Sequence, residues 1–387
     1  MSELVRAAAQ LPVVTFTGPR QSGKTTLCRA AFPAKPYVNL EPLDTRELVR
    51  SDPRGFFAEY PDGAILDEIQ NVPELLSYIQ ADVDENPAPG RFILTGSQQL
   101  AANEAISQTL AGRTAILHLL PFSLDERRQS PTWQEDLWRD MFRGGYPRVH
   151  DRDLDPARWY ADYITTYVER DVRQVKDIGD LRTFRTFVML CAGRTAQEIN
   201  LSSLGNDAGV SHNTARAWLS VLEASYITIS APAWHRNVRK QLVKAPKLHF
   251  LDTGLACSLL GIRDPDQLRS HPLRGALFES WVASEIVKAL LHRGRHPDLQ
   301  HYRESRGVEI DIVTKQGGAL HLIECKSGAT LHPALSAPLQ GLADAIAAAG
   351  TQAVPALVYG GRESHPRRRV PVYSWIDVER LGRQIAG

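Results

Sequence analysis

The sequence predicts an α/β fold whose N-terminal third is a parallel sheet flanked by helices. Apolar runs too short for helices occur at residues 13–17, 37–40, 63–68, 92–97 and 115–119. Runs of this length are typical of strands that are buried on both faces. Stretches with helical character separate them, among them residues 43–60. Strands that alternate with helices imply a parallel sheet with right-handed crossovers.

Length and composition place the chain among globular proteins of several domains. Its 387 residues exceed what one hydrophobic core usually serves, so we expect about two to four domains. The net charge of +1 means that any nucleic-acid surface must be a local patch. The scattered cysteines form no CxxC pair, which argues against a zinc site or a disulfide framework. Without an apolar run of about 18 residues, we expect a cytoplasmic protein with no membrane partner.

A glycine-rich loop follows the first predicted strand and leads directly into a helix. Its residues are Gly18, Pro19, Arg20, Gln21, Ser22, Gly23, Lys24 and Thr25, followed by Thr26 in the helix. Glycines let backbone N–H groups approach phosphates closely, and the helix N-terminus adds partial positive charge. We expect Lys24 to reach the β- and γ-phosphates and Thr25 to ligate Mg²⁺. The strand, loop and helix together predict a P-loop ATP site.

Acidic and polar residues end the next buried strands. Asp67, at the end of one strand, is expected to hold the shell of Mg²⁺, and the adjacent Glu68 to polarise the attacking water as a general base. Ser97, at the end of the following strand, is a candidate sensor of the γ-phosphate or of the attacking water. The alternatives are a charge pair at a helix start for the two acids and a polar turn residue for Ser97. The combination predicts an ATPase of the AAA type.

Arg113 is the candidate arginine finger. It ends the segment Leu-Ala-Gly-Arg at residues 110–113. An arginine supplied by a neighbouring subunit can stabilise the charge that develops during phosphoryl transfer. This role requires a homo-oligomer, such as a ring, with a hexamer as one size. The alternative is a solvated surface arginine.

The character of the sequence changes after residue 121. Residues 124–190 are rich in Arg, Asp, Trp and Tyr at helical spacing, which predicts a helical lid. A helix, turn and helix followed by a strand occupy residues 202–230 and predict a winged helix over residues 191–265. The second helix presents Arg216 outward. The residues expected to contact DNA phosphates are Arg216 and, in the wing, Arg236, Arg239, Lys240 and Lys244.

Two neighbouring strands near the C-terminus carry acidic residues. Side chains alternate along a strand, so Glu324 and Lys326 share a face, and a hairpin brings Asp311 close to them. We expect Asp311 and Glu324 to hold Mg²⁺, with Glu279 from the preceding helix completing the shell. Lys326 would orient or activate water for phosphodiester hydrolysis. The alternative is an exposed hairpin with ordinary surface charges.

The sequence resembles a family of prokaryotic AAA-type ATPases that carry a C-terminal domain of unknown function with a restriction-endonuclease-like PD-(D/E)XK signature. The matching segments run almost end to end. They lie at residues 18–26, 66–70, 94–97, 110–113, 144–147, 169–172 and 247–255, and in the terminal Phe-Glu, Glu-Ile-Asp and Glu-Cys-Lys elements. The resemblance supports nucleotide chemistry at Lys24, Thr25, Asp67 and Glu68, and a nuclease-like site at Glu279, Asp311, Glu324 and Lys326.

The resulting expectation is a four-part chain. Its parts are an AAA-type ATPase core at residues 1–123, a helical lid at 124–190, a winged helix at 191–265 and a nuclease-like domain at 270–387. With ATP and Mg²⁺ as cofactors, we expect an oligomeric ATPase that couples hydrolysis to translocation, remodelling or cleavage of DNA. A second hypothesis is a nucleotide-gated regulatory ATPase that acts on a protein partner. A third is an endonuclease that ATP hydrolysis licenses.

Overall fold

The structure is a computed structural model that describes most of the chain. The described residues are 1–97, 109–168, 180–235, 245–304, 308–332 and 336–387. They divide into two compact units, Met1–Pro121 and Phe122–Gly387. The four-part division expected from the sequence stays a prediction.

The first unit is a parallel sheet of five described strands with helices between them. The strands are β1 (Val13–Gly18), β2 (Tyr37–Asn39), β3 (Ile65–Asp67), β4 (Phe92–Ser97) and β5 (Thr114–His118). The helices are α1 (Ser2–Ala8), α2 (Lys24–Ala31), α3 (Leu43–Ser51), α4 (Pro53–Ala58) and α5 (Leu75–Glu85), with a 3₁₀ turn at Ile69–Asn71. The strand order is β2-β3-β4-β1-β5, and every pairing is parallel. The predicted α/β class and its parallel sheet are confirmed.

The central strands are apolar along their whole length because both faces of the sheet are covered. Val13 and Leu66 lie in a hydrophobic cluster on one face. Val14 and Ile65, their neighbours in sequence, lie in the cluster on the other face. Side chains that alternate between two buried faces give the continuous apolar runs from which the sheet was predicted.

The helical stretch predicted for residues 43–60 is two helices rather than one. Asp52 ends the first helix and caps the second, since its carboxylate accepts a hydrogen bond from the N–H of Gly55 at 2.9 Å. Pro53 takes the first position of α4, where its missing N–H leaves no hydrogen bond unmade. A residue before proline avoids helical angles, so the break falls at Asp52.

The second unit combines helices with two sheets. Its helices are α6 (Leu124–Arg127), α7 (Leu137–Arg143), α8 (Pro147–Asp151), α9 (Pro156–Tyr163), α10 (Leu181–Gly193), α11 (Leu201–Ala208), α12 (His212–Ala224), α13 (Thr253–Leu259), α14 (Pro265–Ser270), α15 (Arg274–Leu291), α16 (Ala337–Ala348) and α17 (Val378–Ala386). A π-helical turn spans Ile164–Val168, and a 3₁₀ turn spans Trp375–Asp377. No helix in the described part of the chain is both long enough and apolar enough to span a bilayer.

One sheet of this unit is small and antiparallel, and the other is mixed. The small sheet has the order β6-β8-β7 and contains β6 (Gln197–Glu198), β7 (Thr228–Ala231) and β8 (Lys247–Phe250). The mixed sheet has the order β13-β12-β11-β10-β9. Its strands are β9 (Leu299–Arg303), β10 (Glu309–Gln316), β11 (Ala319–Lys326), β12 (Ala353–Tyr359) and β13 (Val372–Ser374). Strands β9, β10 and β11 are antiparallel, whereas β11, β12 and β13 are parallel.

A buried ionic network joins α6, α7 and α15. The Arg127 guanidinium lies 2.7 Å from the carboxylate of Asp140 and 3.0 Å from that of Glu285. Lys288 contacts Glu285 at 2.9 Å. Burial alone would raise the pKa of Glu285, but the Lys288 and Arg127 cations lower it to about 2. Charges this deep are tolerated because each carboxylate meets a cation.

Two of the segments that match the resembled family, residues 144–147 and 247–255, contact each other in the second unit. Asp252 caps α13 by accepting a hydrogen bond from the N–H of Leu255 at 2.9 Å, and it accepts a second from Gly145 at 2.8 Å. Gly144 has a φ of 64°, and a Cβ there would overlap the hydroxyl of Tyr160 and the Asp252 carboxylate. These segments therefore contribute to the packing of α7, α9 and α13.

Candidate functional site

The loop between β1 and α2 has the backbone that close approach to phosphate requires. Gly18 ends β1, and a Cβ there would overlap the carbonyl oxygen of Leu119. Gly23, which precedes α2, has a φ of 94°, and Gln21 has a φ of 61°. Left-handed angles interspersed with other conformations in a short loop turn N–H groups toward a common concavity, as in anion-binding nests. The sequence that predicted the loop thus forms the expected strand, loop and helix.

Lys24 is the most deeply placed cation of this loop. Its side chain is buried, and its ammonium donates hydrogen bonds to the carbonyl oxygens of Gly18 at 2.9 Å and Pro19 at 2.7 Å. Burial lowers the pKa of Lys24 to about 8, an effect that the carboxylates of Glu68 and Asp67 offset only in part. Both hydrogen bonds go to neutral carbonyl groups, so the positive charge is left for an anionic ligand.

Hydroxyl groups from three elements surround the carboxylate of Asp67. Thr25 donates to Oδ2 at 2.9 Å, and Tyr37 donates to the same oxygen at 2.7 Å. Thr95 donates to Oδ1. The sequence predicted Thr25 and Asp67 but missed Tyr37 and Thr95. Tyr37 lies on β2 and Thr95 on β4, the two strands that flank β3. The sequence feature that could have identified them is a hydroxyl side chain on each of these two strands.

The Thr25 and Asp67 oxygens form a set that suits magnesium. Mg²⁺ prefers oxygen ligands and usually binds through one or two protein groups together with substrate phosphates. The Thr25 hydroxyl and one Asp67 oxygen already lie 2.9 Å apart, directly beside the phosphate loop. The residues present therefore fit the predicted ion at this position.

Glu68 occupies a sharp turn immediately after β3. Its φ is 59°, an angle uncommon for residues other than glycine, and such strain often marks a functional position. The amide nitrogen of Gln70 donates a hydrogen bond to the Glu68 carboxylate. Sequence reasoning missed Gln70, although it lies only two residues away. The role of Glu68 as a general base stays a prediction.

The other predicted nucleotide contacts follow from the chain path. Arg20 is half-buried within the loop, Ser22 is buried, and Thr26 is exposed in the first turn of α2. Ser97 ends β4 level with Gly18 in the parallel register. A γ-phosphate-sensing role for Ser97 stays a prediction.

Arg113 lies at the opposite edge of the sheet from the phosphate loop. Its carbonyl accepts the N–H of Val13, the first residue of β1, whereas the loop begins where β1 ends at Gly18. Its guanidinium forms two hydrogen bonds with Asp84, at 2.6 Å and 2.9 Å. The structure therefore does not bring Arg113 to the ATP site of its own chain.

The C-terminal carboxylates are brought together as the sequence pattern indicated. Ile312 pairs with Ile323 in the antiparallel register, so Asp311 is level with Glu324. The Lys326 ammonium contacts Glu324 at 2.6 Å. Burial and then the charge of Asp311 raise the pKa of Glu324 to about 7.

A lysine that the sequence reasoning did not assign to this cluster lies inside it. The Lys247 ammonium is 3.0 Å from Glu279, 2.8 Å from Glu309 and 3.7 Å from Asp311. Burial by itself would lower the pKa of Lys247, but these carboxylates outweigh it and raise the pKa. Among the residues described, no group of three or more His, Cys, Asp or Glu side chains is arranged to hold a metal ion. The predicted magnesium shell of Glu279, Asp311 and Glu324 does not fit this geometry, because the Lys247 ammonium already contacts the carboxylates of Glu279 and Asp311.

The predicted DNA-binding residues fall in two parts of the chain. Arg216 is exposed on α12, beside the exposed Asn213 and Ser220. Gly209 ends α11 with a φ of 71°, and the hydroxyl of Ser211 caps α12 by accepting the N–H of Thr214 at 3.1 Å. The other four, Arg236, Arg239, Lys240 and Lys244, lie outside the described residues.

Comparison with known protein families divides the chain into three matched segments. Residues 10–127 match the model of an AAA domain. Residues 134–266 match a domain of unknown function (DUF8612), and residues 274–376 match another (DUF4143). The first match contains the whole phosphate loop, Asp67 and Glu68. The third contains Glu279, Asp311 and Glu324, whereas Lys247 lies in the second.

Similar proteins occur in mycobacteria and among solved structures. An uncharacterized protein of Mycobacterium tuberculosis is 30% identical over 334 residues, which cover 85% of this chain and 73% of the relative, and one of Mycobacterium bovis matches equally. A Walker-type ATPase of Pyrococcus abyssi is 15% identical with a TM-score of 0.46, covering 67% of this chain and 93% of the other. A RuvB variant of Thermotoga maritima is 18% identical with a TM-score of 0.31, covering 62% and 91%.

Proposed function

The chain belongs to the same family as the two mycobacterial proteins and carries an AAA-type P-loop ATPase domain, and we propose that it uses Mg-ATP hydrolysis to act on DNA. The ATP site carries the first half of this proposal. The observation that supports it most directly is the contact of Thr25 with Asp67 beside a buried Lys24 whose direct contacts are neutral carbonyl oxygens.

Each residue of the site has a distinct part in the proposed hydrolysis. The Lys24 ammonium binds the β- and γ-phosphates, replacing its carbonyl contacts with charged ones. Thr25 and Asp67 would hold Mg²⁺, which supplies neutralisation of phosphate charge when bound. Glu68 orients the attacking water and accepts its proton, and Gln70 holds the Glu68 carboxylate in place.

Substitution of Glu68 by Gln tests the proposed base. Glu68→Gln keeps the shape of the side chain but removes its ability to accept the proton. Turnover of ATP should fall by about 10²- to 10⁴-fold, while the affinity for ATP stays within a few-fold of wild type. Turnover measured beside equilibrium binding separates the two effects. Unchanged turnover would remove Glu68 from the mechanism.

Helix α12 supports DNA as the target of this activity. The α11–α12 pair and the antiparallel β6-β8-β7 sheet have the order of elements of a winged helix. The exposed face of α12 offers Asn213, Arg216 and Ser220, types of side chain that contact phosphates and base edges. We infer that α12 is the recognition helix and that the basic segment at residues 236–244 contacts the backbone.

Charge reversal tests the DNA surface. Arg216→Glu, and separately the pair Arg239→Glu and Lys240→Glu, should weaken binding to duplex DNA and make the salt dependence shallower. Each lost phosphate contact should reduce the slope of log K against log salt by about 0.9. Arg54→Glu, an exposed change in α4 of the first unit, is the control. Wild-type affinity of both variants at low salt would exclude this surface.

We further infer that Arg113 acts on the ATP site of a neighbouring copy in a homo-oligomer. The inference rests on its position at the far edge of its own sheet and on the accessible ion pair with Asp84 that holds it. Mixing Arg113→Ala with Lys24→Ala subunits tests it. Each variant lacks one half of the site, so a mixed oligomer should recover part of the turnover that neither variant has alone. No recovery from stable mixed oligomers would exclude a finger in trans.

A regulatory ATPase that acts on a protein partner is the second candidate. The Lys247 ion pairs favour it, because a carboxylate cluster closed by a lysine is better suited to packing or binding than to cleavage. Turnover with and without linear, branched and single-stranded DNA separates the candidates. Stimulation by DNA supports the first, and a rate that no DNA changes supports the second.

A further inference from the structure

Four acidic side chains form the C-terminal carboxylate cluster, namely those of Glu279, Glu309, Asp311 and Glu324. Two lysines, Lys247 and Lys326, contact this cluster. Lys247, the first residue of β8, is 3% exposed and reaches Glu279 of α15 and Glu309 and Asp311 of β10. Its three contacts therefore come from two elements other than its own strand.

The far side of the cluster is held by β11. One Asp311 oxygen accepts the backbone N–H of Cys325 at 2.8 Å. One oxygen of Glu324 contacts Lys326 at 2.6 Å, whereas the other is buried without a hydrogen-bond partner among the described residues. Asp311 is therefore shared between a backbone donor on β11 and the ammonium of Lys247.

We propose that the ammonium group of Lys247 takes the place of a divalent cation in this cluster, so that the cluster binds no Mg²⁺ while Lys247 is in position. A magnesium ion needs oxygens at about 2.1 Å in an octahedral arrangement. An ammonium 3.0 Å from Glu279 and 3.7 Å from Asp311 fills the volume between the same oxygens. Two cations cannot share that volume, because their repulsion would not be screened by water.

In this proposal the carboxylate cluster has a structural role and does not bind a metal ion. Lys247 belongs to the β6-β8-β7 sheet, whereas Glu309 and Asp311 belong to the mixed sheet. Their ion pairs join the two sheets within the second unit. The proposal does not depend on ATP hydrolysis, which takes place at residues of the first unit.

Mn²⁺ binding to the full chain without nucleotide tests the proposal. Electron paramagnetic resonance counts the Mn²⁺ ions bound to wild type, Asp311→Asn, Lys247→Met and the double variant Lys247→Met/Asp311→Asn. Any Mn²⁺ that binds elsewhere is common to all four proteins. Wild type and Asp311→Asn should bind equal amounts, Lys247→Met should gain about one ion per chain, and the double variant should lose it again.

Two results would overturn the proposal. One is Mn²⁺ that binds wild type and is lost in Asp311→Asn, since the cluster would then hold a metal beside Lys247. The other is a folded Lys247→Met that gains no ion. If Lys247→Met does not fold, the comparison of wild type with Asp311→Asn decides alone. Lys247→Arg, which keeps the charge, serves as the matched control and should gain no ion.

Discussion

Lys24 and Lys247 are both buried lysines, one in each unit, and their surroundings differ in one respect. Lys24 donates hydrogen bonds to two neutral carbonyl oxygens, and burial lowers its pKa to about 8. Lys247 meets three carboxylates, whose combined charge outweighs burial and raises its pKa. The same side chain thus has carboxylates nearby but contacts only carbonyl oxygens in one unit, whereas it forms direct ion pairs in the other.

The difference separates a ligand site from a structural contact. A buried ammonium without a paired anion destabilises the fold and regains that free energy when an anion binds. An ammonium that already forms ion pairs with carboxylates of its own chain gains no such free energy from the binding of an anion. Lys24 therefore favours a phosphate ligand, whereas Lys247 favours cohesion between two sheets.

The largest expected effect is on catalysis by Lys24. Lys24→Ala should lower ATP turnover by about 10³-fold, because the phosphate charge loses its buried partner, and it should not lower the thermal midpoint. Lys35→Ala is the matched control, since Lys35 also donates to two carbonyl oxygens, those of Asp62 and Arg91, and should leave turnover unchanged. A large fall in the thermal midpoint of Lys24→Ala would show that Lys24 stabilises the fold and would contradict the distinction drawn between Lys24 and Lys247.

The converse effect is expected at Lys247. Lys247→Met should cost about 3–5 kcal/mol of unfolding free energy, because buried carboxylates lose their cation, and ATP turnover of the folded protein should persist. Lys326→Met, which removes a more exposed lysine from Glu324, should cost about 1 kcal/mol or less. Denaturant unfolding measures both. Equal stability of wild type and Lys247→Met would show that these ion pairs do not hold the sheets together.

Alkaline pH should affect the two lysines differently. ATP affinity should fall about tenfold between pH 7 and pH 9, as the Lys24 ammonium loses its proton near pH 8. The Lys247 contribution to stability should persist over that window. A raised folded-state pKa means that its stabilisation is complete below the unfolded value near 10.5 and is lost only above it. Calorimetric titration of ATP at each pH measures the affinity, and denaturant unfolding at each pH measures the stability. A loss of stability that parallels the loss of ATP affinity between pH 7 and pH 9 would contradict this prediction.

The smallest effect concerns the hydroxyls that hold Asp67. Tyr37→Phe removes one hydrogen bond to this carboxylate and should raise the Mg²⁺ concentration for half-maximal turnover by about two- to tenfold. Tyr78→Phe, at an exposed tyrosine in the same unit, should change nothing. An effect of Tyr37→Phe on stability alone would mean that the hydroxyl supports packing and not the position of Asp67.

Much of the ATP site was accessible from the sequence because its parts are local. Gly18 to Thr25 are contiguous, and Asp67 and Glu68 directly follow a buried strand, so periodicity and spacing were sufficient. The contacts of Tyr37 and Thr95 with Asp67 were not predicted, because they depend on which strands flank β3. That order, β2-β3-β4, is a property of the sheet.

The sequence by itself determined the α/β class, the phosphate loop and the proximity of Asp311 to Glu324, since these depend on periodicity, on contiguous motifs and on the pairing of adjacent strands. Tertiary structure alone decided where Arg113 lies and what the C-terminal acids contact. Lys247 is 32 residues from Glu279 and 64 from Asp311, and no local pattern links them. Only the packing of β8 against α15 and β10 brings its ammonium to their carboxylates, because partners distant in the chain are chosen by the fold.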